Sequence, residues 1–400
     1  MLKKYIYLLW FTVFVVGAMN AAVNDSVPKV SVITCHAGDE VYELCGHTAL
    51  RIQTANGDFA VNYGLFDFDS PNFVYRFVKG ETDYCVGAYP FSHFMREYMY
   101  ADRRVVEQEL ALSPGQASRV VELIGINLRP ENRVYRYNYV KNNCATRPIE
   151  IVERAIGDTI SFGELALPDS RHWTFRDEMR YFHRNYPWYQ FGIDLALGVG
   201  LDYELPLREK MFAPEALEQM LATATVADST GCQKPLVANT IVLNEGRVGG
   251  SQLPPTPWYL TPMTVCIVLL LLVLAATLRD LRRRRVTKWV DAAVFTVFGL
   301  MGSLLTFLIF VSVHEATSPN YLYVWLNPLC FVPAALIWLK KCKLLLKCYH
   351  FVNFASLIVL MIAWHHLGQS GNAAFLPLML CSFFRSASYL YINICAKKTV

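Results

Sequence analysis

Charge is scarce in this chain: Asp, Glu, Lys and Arg supply 18% of its 400 residues, against 54% hydrophobic ones. Neither sign dominates. A formal net charge of +4 is too small to imply a nucleic-acid partner. Internal repeats are missing, which argues against a solenoid, and there is no long low-complexity run. What is abundant is apolar sequence, and it is unevenly placed. Residues 23–256 carry scattered charge as a soluble domain does, whereas 258–396 consist mainly of long apolar runs.

Lys3 and Lys4 precede the apolar run 5–16, and the small residues Gly17, Ala18, Ala21 and Ala22 follow. That order is the one a secretory signal has. The expected organisation is a signal peptide or signal anchor over 1–22, an exported domain over 23–253 and a membrane domain over 254–400. Apolar stretches at about 258–278, 289–313, 321–339, 349–366 and 375–394 each approach the roughly 20 residues a bilayer-spanning helix needs. Arg279, Arg282–Arg285 and Lys288 separate the first two. Lys340, Lys341, Lys343 and Lys347 separate the third and fourth, and Lys397 and Lys398 follow the fifth. Cytoplasmic loops collect Lys and Arg, so five spans are expected, with residues 23–257 outside. The implied location is a bacterial inner membrane, multi-pass, with the soluble domain in the periplasm.

Polar residues cluster at the outer ends of these spans: His314, Glu315, Asn320, His365 and His366. Adjacent helical side chains point about 100° apart, so His365 and His366 are not expected to share a metal ion. Arg385 falls near the centre of the last span, where a charge must meet a partner or a cavity. It either pairs inside the bundle or meets a lipid phosphate. His314 and Arg385 are thus the candidates for lipid contact.

The exported domain reads as α+β, an antiparallel sheet with helices packed on it. Strands are expected at 29–34, 46–54, 59–66, 83–89 and 104–112, with an extended stretch at 135–140. The second and third flank Ala55-Asn56-Gly57-Asp58, a hairpin signal. Ser113-Pro114 opens a helix running to about Leu128. Helical patterns follow at 149–155, 175–183 and 214–222, and Pro254-Pro255-Thr256-Pro257 reads as a stiff linker.

Five of the eleven cysteines lie in this domain: Cys35, Cys45, Cys85, Cys144 and Cys232. Five cannot all pair, so an exported, oxidising setting implies a free thiol. Cys144 has the strongest context. It sits at a predicted helix start, where free amides and the macrodipole favour a thiolate and could hold an oxyanion. Asn143 and Arg147 flank it as candidates for anion support. A disulfide-bonded or structural cysteine is the other reading, and residue context alone leaves both open. His47, at the start of a strand in Cys45-Gly46-His47-Thr48, is the candidate base. Tyr63 and Asp67, on or just after the partner strand, are candidates for the group that orients it. A two-residue turn at Asn56-Gly57 would set Phe66 opposite His47, so either one needs a bulge near Gly64 to reach the site. No metal and no cofactor is expected.

Histidine on an early strand followed by cysteine at a helix N-terminus reverses the usual papain order. It resembles the permuted papain-like arrangement of NlpC-like and lecithin:retinol acyltransferase-type proteins, many of which act on acyl lipids. More specifically, the chain resembles the lipoprotein N-acyltransferase family of Bacteroides (Lnb), an exported domain joined to a C-terminal multi-span domain. The likeness rests on Gly46-His47-Thr48-Ala49-Leu50-Arg51, Asn62-Tyr63-Gly64-Leu65-Phe66-Asp67-Phe68 and Tyr135-Arg136-Tyr137-Asn138. It continues through Asn143-Cys144-Ala145-Thr146-Arg147 and Trp325-Leu326-Asn327-Pro328-Leu329. Asn142, where an acidic residue is expected, and Pro148 depart from the pattern. The resemblance implies transfer of a fatty acyl chain, from a phospholipid donor through a Cys144 thioester, to the α-amino group of a lipoprotein's diacylglyceryl-cysteine. Membrane lipids and the diacylated lipoprotein are the implied partners. A membrane-tethered cysteine peptidase or amidase, a phospholipase, and a non-catalytic membrane scaffold are the competing readings.

Overall fold

The computed structural model describes residues 27–66, 70–157, 160–167, 169–227, 231–246 and 255–395. The expected signal over 1–22 and the candidate Asp67 lie outside the described residues. The chain divides into two compact units. One runs to Phe182 and resumes at Glu204. The other joins His183–Tyr203 to the residues from Pro255 onward.

The first unit is a mixed α+β domain. Its strands are β1 (Lys29–Cys35), β2 (His47–Thr54), β3 (Gly57–Leu65), β4 (Asp83–Pro90), β5 (Val105–Leu110) and β6 (Val134–Arg136), with β7 (Ile160–Ser161), β8 (Thr225–Ala227), β9 (Gln233–Pro235) and β10 (Val237–Asn244) further on. Seven of them form one antiparallel sheet in the order β10-β5-β1-β2-β3-β4-β6, and β7-β8-β9 form a second. The helices are α1 (Phe73–Lys79), α2 (Phe91–Tyr100), α3 (Pro114–Asn127), α4 (Thr146–Ile156) and α5 (Phe175–Phe182). Next come α6 (Pro187–Ala196), which belongs to the second unit, and α7 (Pro214–Ala222).

β1 is central and buried along six of its seven residues because helices cover both faces of the sheet. On one face α2 sets Phe91, Phe94 and Tyr98, spaced for one helical stripe, against Ile33, Ala49 and Ala60. On the other, α3 and α4 pack on each other and on β1 and β2. Each fully buried Ile, Leu or Val in these layers contributes about 1.5–3 kcal/mol relative to exposure. α3 begins where Ser113 accepts from the Gln116 amide and the Gln116 side chain returns to the Ser113 amide. The expected stretch 135–140 is a strand only to Arg136. Beyond it, Asn138 and Asn142 pair as a single bridge around a tight loop.

The second unit is helical: α8 (Pro262–Arg283), α9 (Lys288–Phe310), α10 (Phe331–Leu336), α11 (Lys343–Ala363) and α12 (Phe375–Leu390). Among the described residues four helices are long and apolar enough to cross a membrane: Pro262–Arg283, Lys288–Phe310, Lys340–His366 and Phe375–Ile394. The remaining apolar stretch, expected as the third of five spans, is a broken segment. It makes 3-10 turns at Tyr321–Val324 and Pro328–Cys330 before the short α10. Pro328 supplies no backbone donor, and Asn327 compensates. Its Nδ2 donates to the Tyr323 and Val324 carbonyls, and its Oδ1 accepts from the Leu329 amide. The break lies directly on α9 at Gly302, where an added Cβ would come within 2.4 Å of the Asn327 backbone. Only glycine allows that approach.

Arg385 is fully buried and held inside the bundle. Its guanidinium bonds Asp291, Asp280 at 2.8 Å and the Thr277 hydroxyl at 3.1 Å. Of its two expected roles, the structure assigns pairing and excludes contact with a lipid phosphate.

Candidate active site

His47 opens β2, opposite Cys35 on β1. The hairpin that follows turns at Ala55-Asn56, because Thr54 pairs with Gly57. This register differs by two residues from the expected turn at Asn56-Gly57. Continuing it places Gly64, rather than Phe66, across from His47, and puts Asn62 one diagonal step away on the same face. His47 Nε2 and Asn62 Oδ1 are 2.6 Å apart. Asn62 Nδ2 in turn donates to the Tyr89 hydroxyl at 2.8 Å. A carboxamide oxygen only accepts, so Nε2 carries the proton and Nδ1 keeps its lone pair as the base.

Cys144 arrives from the other side. The loop before α4 is shaped by Asn143, whose Oδ1 accepts from the Ala145 and Thr146 amides. Its Nδ2 donates to the carbonyls of Tyr139 and Phe212. All of its hydrogen-bonding capacity is spent on the loop. Asn143 is therefore a prop for the cysteine turn and does not supply the expected anion support. Arg147 is likewise turned away: it donates to Asn142 Oδ1 and lies over the Tyr135 ring, 4.3 Å from its centre. The departures at Asn142 and Pro148 thus have a local account. Asn142 offers an amide oxygen to Arg147, and Pro148 falls in the first turn of α4, where no backbone donor is needed.

The Cys144 thiol faces the backbone amides of Thr48, of Ala145 and of Cys144 itself, and the Tyr137 hydroxyl. Thr48 directly follows His47, so the thiol and the start of β2 share one corner of the sheet. Gly64 makes room there. Its backbone adopts φ +87, in a bulge of β3 against β4, and a Cβ would stand 3.5 Å from the Cys144 Cβ. Both Cys144 and His47 are half-buried, so a substrate can reach them.

Electrostatics set the resting state. Burial, aided by the Arg103 charge and opposed by the Asn62 bond, lowers the His47 pKa to about 4. Burial also raises the Cys144 thiol, against the amides and hydroxyl that favour a thiolate. The thiolate expected from helix position alone is therefore outweighed, and the pair rests as neutral thiol and neutral imidazole. Cys35, Cys85 and Cys144 are free thiols. Burial holds Cys35 far above the usual thiol range and lifts Cys45, bonded to the Tyr139 hydroxyl at 3.2 Å, to about 12. Neither neighbour competes as a nucleophile.

Tyr63 faces away from His47. Alternation on β3 turns it to the face opposite Asn62, where it is buried, accepts from Asn127 on α3 and packs against Tyr135. Asn62, Tyr89 and Tyr137 are the members that sequence reasoning missed. The signal for Asn62 was its spacing from the hairpin turn, legible once the turn is placed one residue earlier. Asn62→Ala is expected to lower kcat/KM about 10–100-fold, part of the 10²–10⁴ that a positioned base contributes. Asn62→Asp should keep the geometry and raise the His47 pKa by placing a carboxylate beside it. The acid limb of the pH profile should then move up from about pH 4. An unmoved limb would remove Asn62 from this role.

A thiol, an imidazole and an amide bonded to it on an α+β domain, in one chain with a bundle of apolar helices, define a membrane protein with a candidate cysteine–histidine–asparagine site. Two family models match the chain: the Lnb N-terminal periplasmic domain over residues 19–176 and the Lnb transmembrane domain over 255–398. The chain belongs to the Lnb family. It is a membrane protein with a periplasmic domain, and that membership is consistent with an enzyme of lipoprotein processing. No curated protein and no solved structure matches it.

Proposed function

We propose that the protein is a lipoprotein N-acyltransferase of the inner membrane. The acyl chain comes from a phospholipid and passes through a thioester on Cys144. It ends on the α-amino group of the diacylglyceryl-cysteine at a lipoprotein's N-terminus. The observation that carries this is the Cys144–His47–Asn62 arrangement. It is assembled in the strand-then-helix order of permuted papain-like enzymes, within the domain the family describes as periplasmic. The membrane unit, counted with its broken third segment, would cross five times, and it anchors the chain in the membrane that holds lipid-anchored substrates.

In the first step Cys144 Sγ attacks the donor ester carbonyl as His47 Nδ1 takes the thiol proton. The amides of Thr48 and Cys144, which face the resting thiol, would turn to the oxyanion. The lysophospholipid alkoxide leaves with the proton from His47. In the second step the lipoprotein amine attacks the thioester. Its proton passes through His47 to the departing sulfur, and the amide product is released with the thiol restored. A resting neutral pair suits this sequence, because an imidazole with a pKa of about 4 is unprotonated at neutral pH. The test is mass spectrometry of lipoprotein N-termini from cells with and without the protein. N-acylation should be lost in its absence. Unchanged N-acylation would reject the reading, and hydrolysis of the donor ester without amide formation would assign a phospholipase instead.

A further inference from the structure

A cavity of about 220 Å³ opens in the helical unit at the end remote from the basic cluster Arg279–Lys288. Its wall includes the first turn of α8, with Thr261, Pro262 and Met263, and the side chains of Arg184, Gln190 and Asn372. Three features there suit an anion. The first is the N-terminus of a 22-residue helix, whose macrodipole is positive at this end and where Met263 carries the leading amide that neither the Thr261 cap nor the helix takes up, Pro262 having none. The second is the Arg184 guanidinium, on an exposed residue lining the cavity. The third is Gln190, only 7% exposed. Its Oε1 is bonded to His183 Nδ1 at 3.1 Å, while its Nε2 has no hydrogen-bond partner in the protein. A buried amide donor without an acceptor calls for a ligand oxygen in the space it lines.

The depth of the cavity identifies the anion. Exposed Trp188, Trp258 and Tyr259 surround this end of α8, and Trp188 Nε1 donates to the Leu260 carbonyl at 2.7 Å. Such rings mark the headgroup layer of a bilayer. Trp289 and Trp338, packed edge to face with ring centres 4.6 Å apart, lie where α9 begins, at the opposite end of the bundle. A phosphate ester of a membrane lipid is the anion abundant at that level. Asn372 Nδ2 donates to the buried Asp194 carboxylate at 2.9 Å. We infer that this cavity is a headgroup site for a phospholipid of the outer leaflet, with Arg184, Gln190 Nε2 and the first turn of α8 as ligands to the phosphate. This inference stands on the helical unit alone and does not depend on the acyl-transfer chemistry.

The test uses the full-length protein in detergent, titrated with phosphatidylethanolamine, with diacylglycerol of the same chains and with inorganic phosphate, read by native mass spectrometry. Phosphatidylethanolamine should bind at least about tenfold more tightly than diacylglycerol, a difference near 1.4 kcal/mol. Arg184→Gln and Gln190→Leu should each remove most of that preference without lowering the unfolding temperature. Arg184 is exposed, so its variant remains informative if Gln190→Leu fails to fold. Equal binding of both lipids, binding of inorganic phosphate only, or an unchanged preference in Arg184→Gln would overturn the proposal. Donor turnover is not the readout, so failure here is distinct from failure of the proposed reaction.

Discussion

Replacing Cys144 with alanine is expected to lower acyl transfer about 10⁵-fold or more, the scale on which loss of a nucleophile removes covalent catalysis. Incubating the intact protein with donor phospholipid alone should add the mass of one acyl chain, labile to hydroxylamine, and Cys144→Ala should abolish that adduct. Cys144→Ser keeps the shape but presents a far weaker acid to an imidazole whose pKa is already near 4. It should therefore retain little of the rate. The neutral resting pair has its own signature. Alkylation of Cys144 should be slow at pH 7 and accelerate only above the ordinary thiol range, since burial raises this thiol. An adduct that persists in Cys144→Ala, or transfer within tenfold of the native rate, would end the thioester mechanism.

The second large effect is structural. Arg385→Met should destabilise the helical unit by about 3–5 kcal/mol, because it strands two buried carboxylates. Asp280 and Asp291 are 1% and 0% exposed, and their guanidinium partner is lost. Asp280 keeps the Thr287 amide and hydroxyl, so it retains part of its satisfaction, whereas Asp291, with one oxygen already unbonded, loses the Arg385 bond at the other. Adding Asp280→Asn and Asp291→Asn to Arg385→Met should restore much of the loss, since removing a whole buried ionic cluster is often close to neutral. Thermal unfolding in detergent measures both. If the single variant melts with the native protein, the cluster does not hold the bundle.

Much of the candidate site could be read directly. Gly46-His47 before an alternating run, and Asn143-Cys144 before a helical one, are local patterns, and each residue was placed by its own element. Burial and register were not local. A turn displaced by one residue moves every cross-strand partner by two, so Asn62 rather than Tyr63 meets the His47 ring. The protonation state changed for a related reason. A helix start lowers a thiol's pKa, but the layers packed over Cys144 raise it by more.

The same division holds in the membrane part. Length and apolarity alone identified four helices, because crossing a bilayer is a requirement each segment meets by itself. They could not show that the stretch around Asn327-Pro328 breaks, since the carbonyls freed there are satisfied by Asn327 and accommodated against Gly302 of another helix. Nor could they choose between pairing and lipid contact for Arg385, whose partners lie 94 and 105 residues away. Composition and period pointed to an exported part and an apolar part, to most of the strands and helices, and to the candidate cysteine and histidine. Tertiary structure decided which side chain bonds His47, how burial shifts the thiol and the imidazole, and the fate of the buried arginine. Each of those depends on contacts between segments distant in the chain.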